Sequence, residues 1–330
     1  MNRRPPGLKL VKAIHGFLQH KAAEALSPRT LEGYEHDLNT WLSQVGDVDI
    51  GSITTQDLRS YLAWLRTDYK PRRVSGSDHP LAAKTLRNRW VTLAAFFTWA
   101  STEIGIPNPM KAIPAPRFEE APVEPFTKEE IEALLKACEF CHEAKTTDRR
   151  RFTMRRSTGK RDRALILNLL DTGLRASELC ALTIEDVDQK TGHVEVKHGV
   201  TGGAKGGKGR VVYLGKATRR ALWLYLTSRE DGEDPEAPVF IGKFSRPLNR
   251  NSLRQVIASL GERAQVKHCH PHRFRHTFAI TYLRSGGDLF TLQALLGHST
   301  LEMVQHYARI AQIDVEKVHR RASPADNWRL

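Results

Sequence analysis

The most regular feature of the chain is a series of apolar residues three or four positions apart, which predicts amphipathic helices. Ser27 followed by Pro28 is a typical helix start, because a serine oxygen can cap free amide groups and proline fits the first turn. In the first hundred residues four such stripes occur, at 10–20, 27–41, 54–66 and 81–100. The pattern predicts a small N-terminal helical domain.

Proline is concentrated at 106–125, a density that excludes a continuous helix and predicts a partly extended connector. A Thr-Lys-Glu-Glu sequence at 127–130 then offers a capping box for a new helix. We therefore predict an N-terminal helical domain at 1–108, a linker at 109–125 and a second domain at 126–330.

The second domain changes its pattern twice. Residues 193–196 and 210–214 alternate as short strands on either side of a glycine-rich turn, which predicts a hairpin. Helical spacing then returns, most clearly at 251–264, 272–285, 290–296 and 301–307. The predicted fold class is mainly α with a small antiparallel β-sheet.

The charge of the chain points to a polyanionic partner. It holds 51 Lys and Arg against 37 Asp and Glu, a formal net charge of +14. Such an excess favours nucleic acid over a small acidic ligand. No apolar run is long enough to span a bilayer and no leader is recognised, so we expect no membrane partner and a cytoplasmic location.

Two partial cofactor motifs are present, and neither is complete. Cys138, Cys141 and His142 have the spacing of covalent haem attachment, which requires export. As a zinc site they lack a second ligand pair, so buried or free thiols are the favoured alternative. The segment 202–208 nearly spells a phosphate-binding loop, but Gly209 stands where Ser or Thr should ligate magnesium. We predict no metal and no cofactor.

A set of residues in the second domain is suited to phosphate chemistry. Arg175 lies in Thr-Gly-Leu-Arg-Ala-Ser-Glu-Leu, His272 and Arg275 lie three apart, and His298 precedes Tyr307 by nine residues. A planar guanidinium holds two phosphate oxygens at any working pH, an imidazole carries a proton, and a phenol can attack phosphorus. The set predicts metal-free cleavage of a phosphodiester, with the two arginines as a phosphate clamp and the tyrosine as nucleophile.

These motifs resemble those of the tyrosine recombinases, also called the phage integrase family, over nearly the whole chain. The resemblance implies a core-binding (SAM-like) domain and a catalytic domain that clamp double-stranded DNA. It implies strand cleavage through a covalent 3′-phosphotyrosine and rejoining without metal or ATP. It assigns His298 to a phosphate oxygen and matches Glu178 to the acidic residue that supports the site. It also matches Lys205, with Lys208 as the alternative, to the lysine that protonates the leaving 5′-oxygen.

The histidine–arginine pair admits two registers, because His270 and Arg273 have the same spacing as His272 and Arg275. We choose the second pair, since the family's histidine follows a proline and opens a helix. Side chains three apart on a first turn project side by side, so the histidine can handle a proton while the arginine holds phosphate. His276 is interpreted as a structural helix residue.

The resemblance also implies partners. The active assembly would be a homo- or hetero-tetramer on two DNA sites, and we expect the tail beyond Tyr307 to pack on a neighbouring protomer. The short segment before the first helix favours a Xer-like organisation. The basic segment 142–161 is interpreted as an insertion that binds DNA backbone or forms a solvated loop. The predicted DNA-contacting residues are Lys84, Arg87, Arg89, Arg149, Arg150, Arg151, Arg155 and Arg156.

Two alternatives to a recombinase stay open at this point. A type IB topoisomerase uses similar residues but pairs no sites, and a DNA-binding regulator would bind a site without cutting it. The spacing of His298 and Tyr307 favours the recombinase over the first, and the full set of catalytic positions disfavours the second. The resemblance is compatible with integration, excision or dimer resolution as the biological role.

Overall fold

A computed structural model describes the protein at residues 7–71, 78–118, 123–140, 144–146, 149–152, 154–197, 209–298, 300–311, 323 and 325. The chain divides into two units, Met1–Pro122 and Val123–Leu330. Among the described residues, no helix is long and apolar enough to cross a membrane.

Amphipathic helices build the first unit. The described helices are α1 (Leu10–Ala23), α2 (Pro28–Val45), α3 (Thr55–Thr67) and α4 (Ala83–Glu103). The side chain of Ser27 accepts the amide proton of Thr30, and Thr54 forms a capping box with Asp57, so local polar groups fix both helix starts. Phe17 and Trp41 pack edge-to-face on the ring of Phe96, which places an aromatic cluster at the centre.

Part of the proline-rich segment belongs to this first core. Pro109–Ala112 forms a 3-10 turn, and Met110 and Ile113 are buried among the helices. The indole Nε1 of Trp90 donates to the carbonyl oxygen of Ile113 at 3.1 Å. The start of the predicted linker is therefore packed against α4, and the division of the chain falls after Pro122.

The second unit is helical with two small hairpins. Its described helices are α5 (Lys128–Glu139), α6 (Gly159–Thr172), α7 (Ala176–Ala181), α8 (Lys216–Leu226), α9 (Arg250–Ala264), α10 (Pro271–Arg284), α11 (Leu289–Leu296) and α12 (Glu302–Ala311). Its described strands are β1 (Ala144–Thr146), β2 (Arg149–Phe152), β3 (His193–Val196) and β4 (Arg210–Tyr213). This confirms the predicted fold class, mainly α with a small antiparallel sheet.

The two hairpins differ in how clearly the sequence predicts them. Strands β3 and β4 pair antiparallel, with Val196 opposite Arg210, as the alternating pattern predicts. Strands β1 and β2 also pair antiparallel, inside the basic segment, where we predicted no strand. The strongly charged sequence lacks the alternation of a half-buried strand, so periodicity could not reveal this hairpin.

An ion cluster at the start of α6 ties the basic segment to the core. Asp162 is completely buried, and its two carboxylate oxygens accept separate ion pairs at 2.8 Å from Arg156 and 2.7 Å from Arg161. Arg161 also donates to the carbonyl oxygen of Ile241. The interpretation of 142–161 as a solvated loop is therefore wrong at its C-terminal end, where Arg156 and Arg161 bind a buried carboxylate.

Replacing Asp162 by Asn should lower the free energy of unfolding by about 3–5 kcal/mol, because two guanidiniums that are only 15% and 12% exposed lose their counterion. Denaturant unfolding of the full chain measures the loss. The control is Glu139→Gln, which removes an ion pair to Arg163 between side chains 53% and 42% exposed and should cost at most about 1 kcal/mol. Equally small losses in both variants would contradict the structural role of the cluster.

Candidate active site

The C-terminal end of α11 gathers three guanidinium groups from three other elements. Arg210 donates from Nε to Leu295 O at 2.8 Å, and Arg275 donates from Nη2 to Leu296 O at 2.7 Å. Arg175 donates more weakly, from Nη2 to Gly297 O at 3.4 Å. The last carbonyls of a helix have no partner inside the helix, and the helix dipole makes this end negative. Consecutive carbonyls therefore hold positive charges that would otherwise repel one another.

Arg275 is the most deeply buried member of this cluster, with 2% of its surface exposed. Besides Leu296, it donates from Nη1 to the carbonyl oxygen of Gly173 at 2.8 Å. Burial, followed by the nearby charge of Arg175, lowers its pKa to about 10, so it stays charged at neutral pH. Two fixed carbonyls thus aim a charged guanidinium with little freedom to move.

Gly173 ends α6 and cannot easily be replaced. Its φ of 61° lies in the left-handed region that favours glycine. A Cβ atom there would lie 2.5 Å from the Phe278 ring, closer than packing allows. The turn brings Arg175 next to the end of α11 and aims the Gly173 carbonyl at Arg275. The Thr-Gly-Leu-Arg sequence therefore positions both predicted clamp arginines.

Glu178 joins two of the arginines. Each of its carboxylate oxygens accepts one bond from the Arg210 guanidinium, at 3.0 and 2.7 Å. Oε1 also accepts from Arg175 Nη1, and Oε2 accepts the Arg175 amide, both at 2.8 Å. Burial is the largest single effect and raises the pKa of Glu178, but the bonds and charges of Arg210 and Arg175 outweigh it and lower the pKa to about 2. The group is an anion at any working pH.

His298 lies directly on Arg275. Its Nε2 is 2.8 Å from Arg275 Nη2, and because a guanidinium only donates, Nε2 accepts and the ring proton resides on Nδ1. That Nδ1 is buried and has no hydrogen-bond partner among the described residues. Burial, with the charges of three arginines, lowers the pKa of His298 to about 4. A neutral imidazole thus presents one unpaired donor beside the clamp.

Tyr307 on α12 closes the cluster. Its ring is stacked on His298, with ring centres 6.2 Å apart and planes 11° apart, and it meets His276 edge-to-face at 5.2 Å. Burial raises the pKa of the Tyr307 phenol, and a hydrogen bond and charge from Arg275, with the charge of Arg175, only partly offset this. The phenol therefore carries its proton at neutral pH.

His272 lies one ring further from the phenol. Its ring meets that of His276 at 4.6 Å, nearly perpendicular, and His276 in turn contacts Tyr307. Although His272 is an exposed residue, desolvation of its ring by neighbouring groups, followed by the charge of Arg275, lowers its pKa, so the neutral form that can accept a proton is favoured. The structure thus brings together Arg175, Glu178, His272, Arg275, His298 and Tyr307.

The alternative register leads away from this cluster. Arg273 forms an ion pair with Glu130 at 2.8 Å, and its guanidinium lies 4.0 Å from the centre of the Phe126 ring. His270 caps α10 by accepting the amide of Arg273. Both residues therefore fix the start of α10 against α5, whereas Arg275 points to the end of α11.

Other predicted residues lie elsewhere. Lys205 and Lys208 fall outside the described residues, as do the side chains of Arg149, Arg150 and Arg151. Lys84 is exposed and lies over the Phe118 ring, Arg87 is half-buried and donates to Pro116 O, and Arg155 is exposed.

Two predicted DNA contacts conflict with burial. Arg89 is 5% exposed and forms a 2.7 Å ion pair with Asp37, and Arg156 is held by buried Asp162. We therefore leave both out of the DNA-contacting set, because each guanidinium already serves a carboxylate inside its own unit.

Sequence reasoning missed two members of the site. His276 was interpreted as structural, yet it contacts Tyr307, its Nδ1 is buried without a partner among the described residues, and burial lowers its pKa to about 4. Its spacing of four from His272 was the available signal, since such residues share a helix face. Arg210 ends the Lys-Gly-x-Lys-x-Arg run that begins at Lys205, but a strand position does not reveal a partner on a distant helix.

Within the described part of the chain, no group of three or more His, Cys, Asp or Glu residues could hold a metal ion. Cys138 is buried, and its thiol donates to Leu134 O. Burial raises the pKa of this thiol to about 12, which makes it a poor thiolate ligand. Cys141 and His142 lie outside the described residues.

Known protein families match both units of the chain. The model of the phage integrase family matches residues 124–313, and the model of the phage integrase N-terminal SAM-like domain matches 14–103. The chain is 32% identical to tyrosine recombinase XerC of Pelobacter propionicus over 322 residues, 96% of each protein. It is 29% identical to XerC of Corynebacterium glutamicum, covering 96% of this chain and 93% of that protein.

Solved structures share the fold. A Tn1549 transposon integrase in complex with a circular intermediate DNA has a TM-score of 0.70 and 21% identity, over 91% of this chain and 95% of that one. The XerH site-specific recombinase bound to its difH substrate has a TM-score of 0.66 and 18% identity, over 98% and 99%. The chain belongs to the phage integrase family of tyrosine recombinases.

Proposed function

We propose that Tyr307 attacks a DNA phosphorus held between Arg175 and Arg275, and that this step begins recombination. As a member of its family, the protein is a site-specific recombinase that cleaves and rejoins DNA strands. The observation that carries the residue assignment is the convergence of both guanidiniums on the end of α11 beside the Tyr307 phenol. Planar guanidiniums bind paired phosphate oxygens, and the phenol is the nucleophile beside them.

The proposed step balances without metal or ATP. The Tyr307 oxygen forms a bond to phosphorus while the bond from phosphorus to the 5′-oxygen breaks, which leaves a 3′-phosphotyrosine and a 5′-hydroxyl. We propose that His272 takes the phenol proton by way of His276, whose ring contacts both residues, since the lowered pKa of each histidine favours its neutral form. Lys205, or Lys208, gives a proton to the 5′-oxygen. A 5′-hydroxyl from a second strand reverses the step, and this joins the strands.

His298 has a distinct proposed role. Its Nε2 accepts from Arg275, which leaves the Nδ1 proton free among the described residues to bond a phosphate oxygen. Donors fixed before the reaction stabilise charge that develops on the phosphate in the transition state. His276 contacts both His272 and Tyr307, so we propose that it orients these two rings.

The rival functions fit less well. A DNA-binding regulator needs no phenol stacked beside two clamped arginines. A type IB topoisomerase shares the chemistry, but the chain matches XerC recombinases along nearly their whole length. This match supports a Xer-like organisation, and we propose a tetramer on two duplexes and a cytoplasmic location.

Tyr307→Phe should abolish covalent attachment to DNA while sparing DNA binding, because only the attacking oxygen is removed. The substrate is a labelled duplex recovered from a randomised pool by binding to this protein, with a nick placed near the cleavage point. Adduct is scored as a protein band that carries label after denaturation, without metal or ATP. Tyr282→Phe is the control, since its hydroxyl bonds Thr291 instead. Adduct that survives Tyr307→Phe would identify another nucleophile.

The histidines make stability depend on pH. The pKa of His276 and of His298 is lowered to about 4 in the folded protein, against 6.5 ordinarily, so the unfolded chain binds more protons between these values. Their contribution to stability is present above pH 6.5 and is lost as the pH falls towards 4.

In DNA-free protein, the unfolding temperature should therefore fall as the pH is lowered from about 6.5 to about 4. His276→Asn should reduce proton uptake on unfolding there by about one proton. Calorimetry at several pH values measures this, with His15→Asn in the first unit as the control. An unchanged uptake in His276→Asn would contradict a neutral buried ring.

Deleting residues 314–330 should leave binding to a single DNA site intact and weaken cooperative assembly, because we propose that this tail packs on a neighbouring protomer. Gel mobility on duplexes with one or two sites separates the two effects. Unchanged cooperativity would reject the role of the tail without affecting the proposed chemistry.

A further inference from the structure

We propose that Arg210 is a positioning residue for strand cleavage, which acts as the counterion of Glu178 and so leaves the charge of Arg175 to the DNA phosphate. The inference rests on the proposed role of Arg175 as a phosphate-binding residue. It adds a member to the site that neither the sequence motifs nor the comparisons assign.

The contacts of Arg210 use every nitrogen of its guanidinium. Nη1 and Nη2 meet the two oxygens of Glu178 at 3.0 and 2.7 Å, and Nε meets Leu295 O at 2.8 Å. The side chains of Arg210 and Glu178 are only 15% and 9% exposed. A parallel pair of charge-assisted bonds is among the strongest and most directional contacts in proteins. Each nitrogen of Arg210 already donates one bond inside the protein and only 15% of the side chain is exposed, so we propose an indirect role.

Arg175 shows the opposite arrangement. Its guanidinium gives Glu178 one bond, from Nη1 at 2.8 Å, and its side chain is 42% exposed. Among the described residues, its other side-chain hydrogen bond is the long one to Gly297 O. Arg210 therefore binds the Glu178 carboxylate with both Nη atoms, whereas Arg175 binds it with Nη1 alone and is partly exposed to solvent.

The charge balance gives this division its chemical meaning. Two guanidiniums and one carboxylate leave this trio a formal charge of +1. Without Arg210 the buried Glu178 would depend on Arg175, and the pair would be neutral. A neutral pair attracts a phosphate far less than a free cation, and Arg175 would have to leave a buried anion uncompensated in order to bind DNA.

The close approach of Arg210 is built into the backbone. Gly297 has a φ of 63°, and a Cβ atom there would lie 2.9 Å from Arg210 Nη1. Arg210 also starts β4, directly after the 198–208 segment that contains Lys205 and Lys208. It could therefore act through the lysine segment instead of through Glu178, and the experiment must separate these two routes.

The test is a double-mutant cycle on the rate of covalent adduct formation, with the nicked duplex and saturating protein. Arg210→Met should slow the reaction about 10- to 100-fold, as loss of a group that orients a site residue typically does. Arg210→Lys should be intermediate, since it keeps the charge and loses the fork. In a Glu178→Gln background, Arg210→Met should have a much smaller effect, because no anion needs a counterion. Additive effects would overturn the proposal.

A second substrate separates the clamp from the lysine. If sulfur replaces the bridging 5′-oxygen, the leaving group is a thiolate, whose conjugate acid has a pKa of about 8.5, so it needs no proton donor. Arg210→Met should stay slow on this substrate. Recovery to the wild-type rate would show that Arg210 acts through the lysine segment and would contradict the proposal. Lys205→Ala and Lys208→Ala are the positive controls, because the variant that has lost the proton donor should recover on this substrate.

Controls keep the outcomes distinct. Arg220→Met removes an exposed arginine of the same unit and should leave the rate of adduct formation unchanged. Thermal unfolding confirms that each variant is folded, and Arg210→Lys carries the test if Arg210→Met is not. If adduct persists in Tyr307→Phe, the proposed function fails. If adduct depends on Tyr307 but the cycle is additive, only the role of Arg210 fails.

Discussion

The structure of the site depends on one interaction, the binding of three guanidiniums by consecutive carbonyls at the end of α11. Arg175, Arg210 and Arg275 come from a helix start, a strand and another helix, and their charges repel one another. The carbonyl oxygens point in directions fixed by the helix, so each arginine has a defined position relative to the others. The negative end of the helix dipole and the carboxylate of Glu178 offset the repulsion. A phosphate therefore meets donors that are already placed.

This cluster also sets the protonation states around the nucleophile. Burial and the surrounding positive charge lower the pKa of His298 to about 4, and they favour the neutral form of His272 as well. Burial also favours the neutral form of the Tyr307 phenol, in this case by raising its pKa. The DNA-free site thus holds a protonated nucleophile beside neutral imidazoles. A bound phosphate adds negative charge, which raises the pKa of the neighbouring histidines and so favours a proton on one of them.

The sequence predicted the helices well because their evidence is local. Ser27, Thr54 and Thr127 each cap a helix, and the apolar stripes identify the buried faces. Helix periodicity cannot name the partner of a charged residue. Arg87 and Arg89 lie on the same helix, yet Arg89 is buried on Asp37. Arg210 shows the same limit in reverse, because its partners Glu178 and Leu295 are 32 and 85 residues away along the chain. Roles that depend on long-range pairing had to come from coordinates.

The charge of the assembled site explains why it can promote the reaction and not only bind DNA. Among the described residues, three guanidiniums less the one carboxylate of Glu178 leave a formal charge of +2, with the histidines neutral. A phosphodiester carries one negative charge, whereas attack by a phenolate gives a five-coordinate phosphorus that carries two. With Tyr307 as the proposed nucleophile, this charge matches the transition state more closely than the substrate, which is the condition for catalysis. Loss of Glu178 would make the site more positive, and loss of Arg210 would make it less positive, so either change would make this match poorer. The balance among Arg175, Glu178 and Arg210 therefore bears on the proposed reaction as well as on the structure.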